Sequence, residues 1–267
     1  MDSYADKLNL ADFLRESVIR SAISALNFPS GSRGLDAGCG IGTLSLLLAE
    51  AVAPAGHVTG LDISPDLLYY AKENANKSTF SEQVLFKAGD VNNLPFEDDD
   101  FDWVWSVDCV GHAPGEPVPL LKELARVVKP AGIIAILMWS SQQLLPGYPQ
   151  LEARLNATSV GIAPFVKGKS PKLHYLRALG WFQAAGLIDA KALTLVGSIY
   201  APLSDDTRSA LISLFQMRWG APKSELTKED WEQYQRLCDP DSSDFILNIP
   251  DYYAFFTYSL FWGKVTI

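Results

Sequence analysis

The sequence predicts an α/β fold organised around a mostly parallel sheet. Short apolar runs alternate with helical patterns through residues 33–140, and the runs end in glycines or acids. The junction after Leu35 carries three glycines at alternate positions, Gly38, Gly40 and Gly42, directly before the helical pattern Leu44, Leu46, Leu47 and Leu48. A later run, Ile133–Trp139, is continuously apolar and has the length of a central strand covered on both faces. Strands alternating with helices require parallel pairing with right-handed crossovers. Ligands of such sheets bind outside the carboxyl ends of the strands, where the winding direction switches.

In chain order, Leu14, Val18, Ala22 and Leu26 recur at helical spacing and predict an amphipathic helix packed on the sheet. Three glycines within the next strand-to-helix junction imply positive φ or close approach to a ligand. A dinucleotide fingerprint would place glycine where Thr43 stands, and a phosphate loop would need Gly-Lys-Ser/Thr, which is absent. The second strand, Val58–Leu61, ends at Asp62-Ile63-Ser64-Pro65, about twenty residues beyond the loop, the spacing at which an acid holds a ribose. A carboxylate has two oxygens for two hydroxyl donors. The competing role, capping the helix that begins near Pro65, suits Ser64 better.

The third strand, Val84–Phe86, leads to Gly89-Asp90-Val91. Taken alone, Gly89-Asp90 reads as a strand-end turn and Asp98–Asp100 as a solvated loop. A fourth strand through Trp103–Val107 leads into Asp108-Cys109-Val110-Gly111-His112. Leu120, Leu121, Leu124, Val127 and Val128 then follow helical spacing until Lys129-Pro130-Ala131-Gly132 ends the helix.

Asp36-Ala37-Gly38-Cys39-Gly40-Ile41-Gly42 resembles motif I of the class I S-adenosylmethionine-dependent methyltransferases, Asp/Glu-x-Gly-x-Gly-x-Gly. The chemistry fits a phosphate-free cofactor with an amino-acid end: loop amides would face its carboxylate, and Asp36 would attract its ammonium group. The alternative is a structural glycine turn in some other α/β domain. The resemblance implies S-adenosylmethionine as cofactor and S-adenosylhomocysteine as product. It sets Asp36, Gly38, Cys39, Gly40 and Gly42 at the loop and Asp62 at the ribose, with Ile63 beside it among the cofactor-binding residues. Asp90 would bind the adenine amino group, with Val91 as an apolar wall, and Ser106, Val107 and Asp108 would complete the site.

The resemblance covers residues 33–140 well and 172–200 loosely. It implies a Rossmann-like seven-stranded sheet, mostly parallel, with an antiparallel last strand. The helix before the sixth strand falls at 172–186, the sixth strand at Ala192–Tyr200 and the seventh at Tyr252–Val265. A single domain, 1–267, then has its core in 1–139, 171–202 and 249–267. Two insertions, 140–170 and 203–248, form a helical cap that would roof the methyl donor. Their side chains, among them Leu211, Leu214, Phe215, Trp219, Trp231, Tyr234 and Leu237, line an apolar acceptor pocket or form the cap's own core. Around Tyr4, the N-terminal segment either closes over the cofactor or frays.

Methyl transfer from a sulfonium draws most of its rate from alignment in a dry site, so a base is optional. His112 is the best-placed base and Asp108 the second, with a surface role as the alternative for His112; His57 and His174 have weaker claims. A net charge of −9 and a pI near 4.8 argue against nucleic-acid binding. Three widely spaced cysteines and three histidines predict no disulfide framework and no metal site. The chain is expected in the cytoplasm, because its first residues lack a basic region and an apolar core and no segment is long enough to span a membrane. The expected activity is methylation of a small, largely apolar organic acceptor, as in the similar ubiquinone and menaquinone biosynthesis enzymes. Alternatives are a cofactor-binding protein without turnover, a protein or peptide methyltransferase, and an NAD-dependent oxidoreductase, which Thr43 disfavours. The sequence sets no oligomeric state.

Overall fold

A computed structural model describes residues 4–163, 165, 168–220 and 223–266. Met1 to Ser3, read above for a leader, lie outside them. Seven strands form one sheet: β1 (Arg33–Ala37), β2 (His57–Asp62), β3 (Val84–Ala88), β4 (Phe101–Val107), β5 (Val128–Gln143), β6 (Ile188–Tyr200) and β7 (Tyr253–Lys264). Their order is β3-β2-β1-β4-β5-β7-β6. Strands β1 to β5 pair in parallel, and β7 runs antiparallel to both β5 and β6. At its end Val265 and the turn at Ala131 and Gly132 exchange N–H···O bonds of 3.1 and 3.0 Å. The expected seven-stranded, mostly parallel sheet is thus the one observed.

The helices before and between the first strands are α1 (Tyr4–Leu26), α2 (Thr43–Val52), α3 (Pro65–Asn76) and α4 (Pro117–Arg126). From β1 the chain winds outward through β2 to β3, then crosses back to place β4 on the other side of β1. The winding direction therefore switches between β1 and β4, and their carboxyl ends flank a crevice. One tight packing fit accompanies the register of this pair. Gly34 pairs with Trp103, and a Cβ at Gly34 would overlap the Trp103 ring. The indole stacks on Phe28 at 4.1 Å and its Nε1–H donates to Ser32 Oγ at 2.8 Å.

The chain divides into two compact units. One comprises Ser17–Trp139, Ser170–Leu195 and Tyr258–Ile267; its core joins Leu35, Phe101, Leu121, Leu124, Ile136 and Phe182. The other comprises Met1–Glu16, Ser140–Lys169 and Val196–Thr257 and carries α5 (Pro149–Asn156), α7 (Asp205–Trp219) and α8 (Lys228–Cys238). Within it Trp219 is fully buried, stacked on Phe215 at 5.7 Å and edge-on to Tyr234. Burial holds the Glu152 carboxyl above its usual range, although its oxygens accept the Leu144 and Leu145 N–H groups at 2.7 and 3.0 Å. This second unit takes in both predicted insertions, together with the start of α1 and the outer ends of β5, β6 and β7.

Three local expectations change. The fourth helix stops at Arg126 and Val128 already pairs with Phe101. Residues 129–132 bulge out before pairing resumes at Trp103 and Ile133, because Pro130 offers no N–H and Ala131 takes φ +65°. The expected helix over 172–186 is mostly short turns, with α6 limited to Ala178–Ala184. Ser170 and His174 cap those turns by accepting the Lys172 and Leu176 N–H groups. The acidic loop is not simply solvated: Asp98 pairs with Arg126, Asp100 with Arg33 and Asp102 with Lys129.

Gly34→Ala should lower stability by about 2–3 kcal/mol through overpacking against Trp103. In a Trp103→Leu background the same change should cost much less. Urea unfolding of the two single variants and the double variant measures this, and strict additivity would show that the ring does not impose glycine.

Candidate active site

The loop after β1 is shaped by positive φ at Gly38, Gly40 and Gly42, at +84°, +54° and +76°. Side chains are excluded at two of these positions. A Cβ on Gly38 would lie 2.6 Å from Cys109 Sγ, and one on Gly42 would lie 2.6 Å from the Phe86 ring. So the loop packs against the end of β4 on one side and against β3 on the other. Most of its amides are directed at the protein rather than at a ligand, which corrects the sequence expectation. Gly38 and Cys39 N–H both donate to Leu61 O, at 2.8 and 3.0 Å, and Gly42 N–H donates to Cys39 O at 2.9 Å. Ile41 and Thr43 are left as the loop amides not engaged in this way.

Asp62 closes the loop onto β2. Its Oδ2 accepts the Gly40 N–H at 2.9 Å and its Oδ1 accepts the Ser64 N–H at 2.9 Å. Ser64 caps α3 by accepting the Leu67 N–H, as expected. With two lone-pair directions on each oxygen, the carboxylate retains acceptor capacity for hydroxyls. Beside it the apolar Ile63 is 72% exposed.

Asp36 is buried, at 2% exposure, and its Oδ2 accepts the Ser45 hydroxyl at 2.6 Å. The first turn of α2 thereby holds the acid that precedes the loop. At the same helix start Thr43 Oγ1 is buried without a hydrogen-bond partner, an orphaned polar atom of the kind that a bound ligand satisfies. Asp90 is exposed and folded back on its own turn, accepting from Asn92 N–H at 2.8 Å and Asn92 Nδ2 at 3.0 Å. Next to it Val91 is buried.

At the end of β4, Ser106 Oγ donates to Ala37 O at 2.8 Å, which brings the two strand ends together; Val107 is buried. Asp108 follows with φ +49°. Its Oδ1 accepts the Trp139 N–H at 2.8 Å and its Oδ2 accepts the Tyr258 hydroxyl at 3.0 Å. His112 is exposed on the next turn, its N–H donating to Cys109 O at 2.8 Å. Two thiols flank the loop. Burial pushes the Cys109 thiol up to about 12, with Asp62 adding to the effect, and burial raises Cys39 still further, with Asp36 adding to it.

The structure therefore places Asp36 and the loop at the end of β1, Asp62 and Ile63 at the end of the neighbouring β2, and Ser106, Val107 and Asp108 at the end of β4. The sequence missed Ser45, Thr43 and above all Tyr258, which lies 150 residues from its partner. No local pattern announces such a contact. The donor set suits a cationic, hydroxyl-bearing ligand and not a phosphate, since the polar side chains named at these strand ends are carboxylates and hydroxyls.

A family model for a methyltransferase domain matches residues 29–184, more than half of the chain. The chain belongs to the class I S-adenosylmethionine-dependent methyltransferases. Among curated proteins it is 37% identical over 150 residues to a demethylmenaquinone methyltransferase of Staphylococcus aureus, covering 55% of this chain and 60% of that one. A Staphylococcus epidermidis enzyme of the same name is 36% identical over 148 residues, covering 55% of this chain. The chain thus spans about 59% of the length of that relative. A solved S-adenosylmethionine-dependent methyltransferase from Aquifex aeolicus shares the fold with a TM-score of 0.53 at 21% identity, over 71% of this chain and 93% of its own. So does Haemonchus contortus phosphoethanolamine N-methyltransferase 2, at a TM-score of 0.56 and 18% identity, over 100% of this chain and 61% of its own. The family's cofactor is S-adenosylmethionine, and the residues at these strand ends are of the kinds that could hold it: the orphaned Thr43 hydroxyl, the exposed Ile63 and the carboxylates.

The thiol environment is directly measurable. With Cys109 raised from 9.0 to about 12, its thiolate fraction at pH 8 falls about a thousandfold, one decade for each unit. Iodoacetamide labelling at pH 8, mapped by mass spectrometry, should therefore be at least a hundredfold slower at Cys109 in the native chain than in urea. Equal rates would place that thiol in water.

Proposed function

We propose that this methyltransferase transfers a methyl group to a small, largely apolar acceptor of the quinol type. The observation that carries the methyl-transfer part is the glycine loop closed on Asp62 beside a second carboxylate-bearing strand end. The acceptor class is supported by the demethylmenaquinone methyltransferase relatives; Leu211, Leu214, Phe215 and Trp219, buried against one another, form the core of their own unit and do not line a pocket. In this reading Asp62 holds the ribose hydroxyls and Ile63 covers the adenine. Asp90 and Val91 bind the adenine edge, and Thr43 and Asp36 meet the amino-acid end, Asp36 through its bond to Ser45.

When bound, the cofactor supplies an electrophilic methyl group on a cationic sulfur. The chain's part is to hold acceptor oxygen or carbon, methyl and sulfur in line and to keep water out. His112, on the turn after β4, is the candidate general base for a hydroxyl or an acidic carbon acceptor. The enzyme is assigned to the cytoplasm, where Cys39, Cys109 and Cys238 remain the free thiols found here. No described helix is long and apolar enough to cross a membrane.

Calorimetry with S-adenosylmethionine and S-adenosylhomocysteine tests cofactor binding, and a radiolabelled methyl assay with reduced naphthoquinones tests the acceptor. Asp62→Ala should weaken cofactor binding more than tenfold, because charge-assisted hydrogen bonds contribute roughly 1.5 to 3 kcal/mol each. An unchanged dissociation constant would remove Asp62 from the site. Gly40→Val should abolish binding by blocking the positive-φ turn. His112→Ala should lower kcat more than tenfold with cofactor affinity intact, and full activity would return His112 to the surface. Binding without product from any acceptor would favour a cofactor sensor.

A further inference from the structure

Two short apolar stretches broken by proline, Ala201-Pro202-Leu203 after β6 and Ile249-Pro250 before β7, line an open cavity of about 490 Å³ together with Arg208, Leu247 and Asn248. All of these residues belong to the unit that carries α7. Backbone bonds hold the walls. Ala201 N–H donates to Tyr252 O at 2.9 Å, Tyr252 N–H donates to Ile249 O at 3.2 Å and Asn248 N–H donates to Phe245 O at 2.9 Å. The cavity is thus formed by the fold itself, before any ligand arrives.

Arg208 supplies its charge. From the first turn of α7, Nη1 donates to Leu247 O at 2.7 Å and Nη2 donates to Asn248 Oδ1. Its Cζ stands 5.6 Å from the centre of the Phe245 ring, which is buried. Leu247 and Asn248, the residues it grips, line the same cavity, so the guanidinium is held at the cavity wall. All three contacts are to neutral groups. In the same unit Arg15, Arg154 and Arg236 each pair with an acid, whereas Arg208 forms no ion pair among the described residues, although Asp205 lies one turn earlier on its helix. A guanidinium has five N–H donors, and these bonds use two of them.

We propose that this cavity binds a small organic monoanion, a carboxylate on an apolar chain or ring, with the carboxylate on Arg208 and the apolar part against Leu203, Ile249 and Pro250. The charge count selects this class. One fixed cation matches one carboxylate, and no second cationic side chain lines the cavity to balance a phosphate dianion. An uncharged apolar molecule would leave the guanidinium unanswered. Apolar walls with one or two placed polar groups, and a volume within roughly 300–1,000 Å³, are the usual make-up of a small-molecule site.

Calorimetry on the full chain with octanoate, 1-octanol and octylamine reads the charge preference at constant chain length. Octanoate should bind saturably and at least tenfold more tightly than octanol, and octylamine should not bind. Arg208→Gln should weaken octanoate at least tenfold while octanol changes less than threefold. Arg208→Lys should fall between wild type and Arg208→Gln, because the charge is kept and the planar fork is lost. Leu203→Trp, which fills the cavity and leaves Arg208 in place, should also weaken octanoate at least tenfold, and it decides if Arg208→Gln does not fold. Equal affinity for octanoate and octanol would overturn the site, as would unchanged octanoate binding in Arg208→Gln or Leu203→Trp. Absence of saturable binding by both octanoate and benzoate would do the same. The methyltransferase reading stands or falls separately, on its own cofactor titration.

Discussion

The Asp62 carboxylate joins the parts on which this site depends. It receives the Gly40 amide from the loop after β1 and the Ser64 amide from the start of α3, while the Leu61 carbonyl beside it receives two further loop amides. The turn is thus anchored to the end of β2. Positive φ at three glycines lets the backbone follow that path, and the absence of side chains lets Cys109 and Phe86 close against it. A ligand held by Asp62 would share its anchor with the loop that cradles it.

Much of this was legible in the sequence because the information is local. Glycine spacing, the acid about twenty residues further on and the serine-proline helix start each need only a few neighbouring residues; Gly42 takes positive φ, Asp62 ends β2 and Ser64 caps α3. The sheet followed from the alternation of strands and helices. What stayed hidden is either long-range or a matter of which of two local solutions prevails. The loop amides turned inward because the Leu61 and Asp62 acceptors lie on another strand. Tyr258 reached Asp108 because β7 runs antiparallel beside β5, a pairing with no signature at either residue. At Lys129-Pro130-Ala131-Gly132 the same residues that end a helix also permit a bulge, and pairing of Val128 with Phe101 decided for the strand.

Charge is distributed unevenly between scaffold and site. Away from the crevice, Arg126 joins Asp98 and Glu123 and also donates to the Leu94 and Phe96 carbonyls, which fastens the loop after Asp90 to α4. At the crevice, the partners named for Asp36, Asp62 and Asp108 are hydroxyls and backbone amides. Carboxylates held by such neutral groups at the strand ends would attract a cationic ligand.

The same field has a bearing on the two sulfurs beside the loop. A methyl donor is an alkylating agent, and a thiolate held against it would be modified by the enzyme's own cofactor. Desolvation together with the nearby acids keeps Cys39 and Cys109 as neutral thiols, which are weak nucleophiles. Were the proposed cofactor bound beside them, these neutral thiols would be poor acceptors for its methyl group, so the cysteines could stay without being replaced.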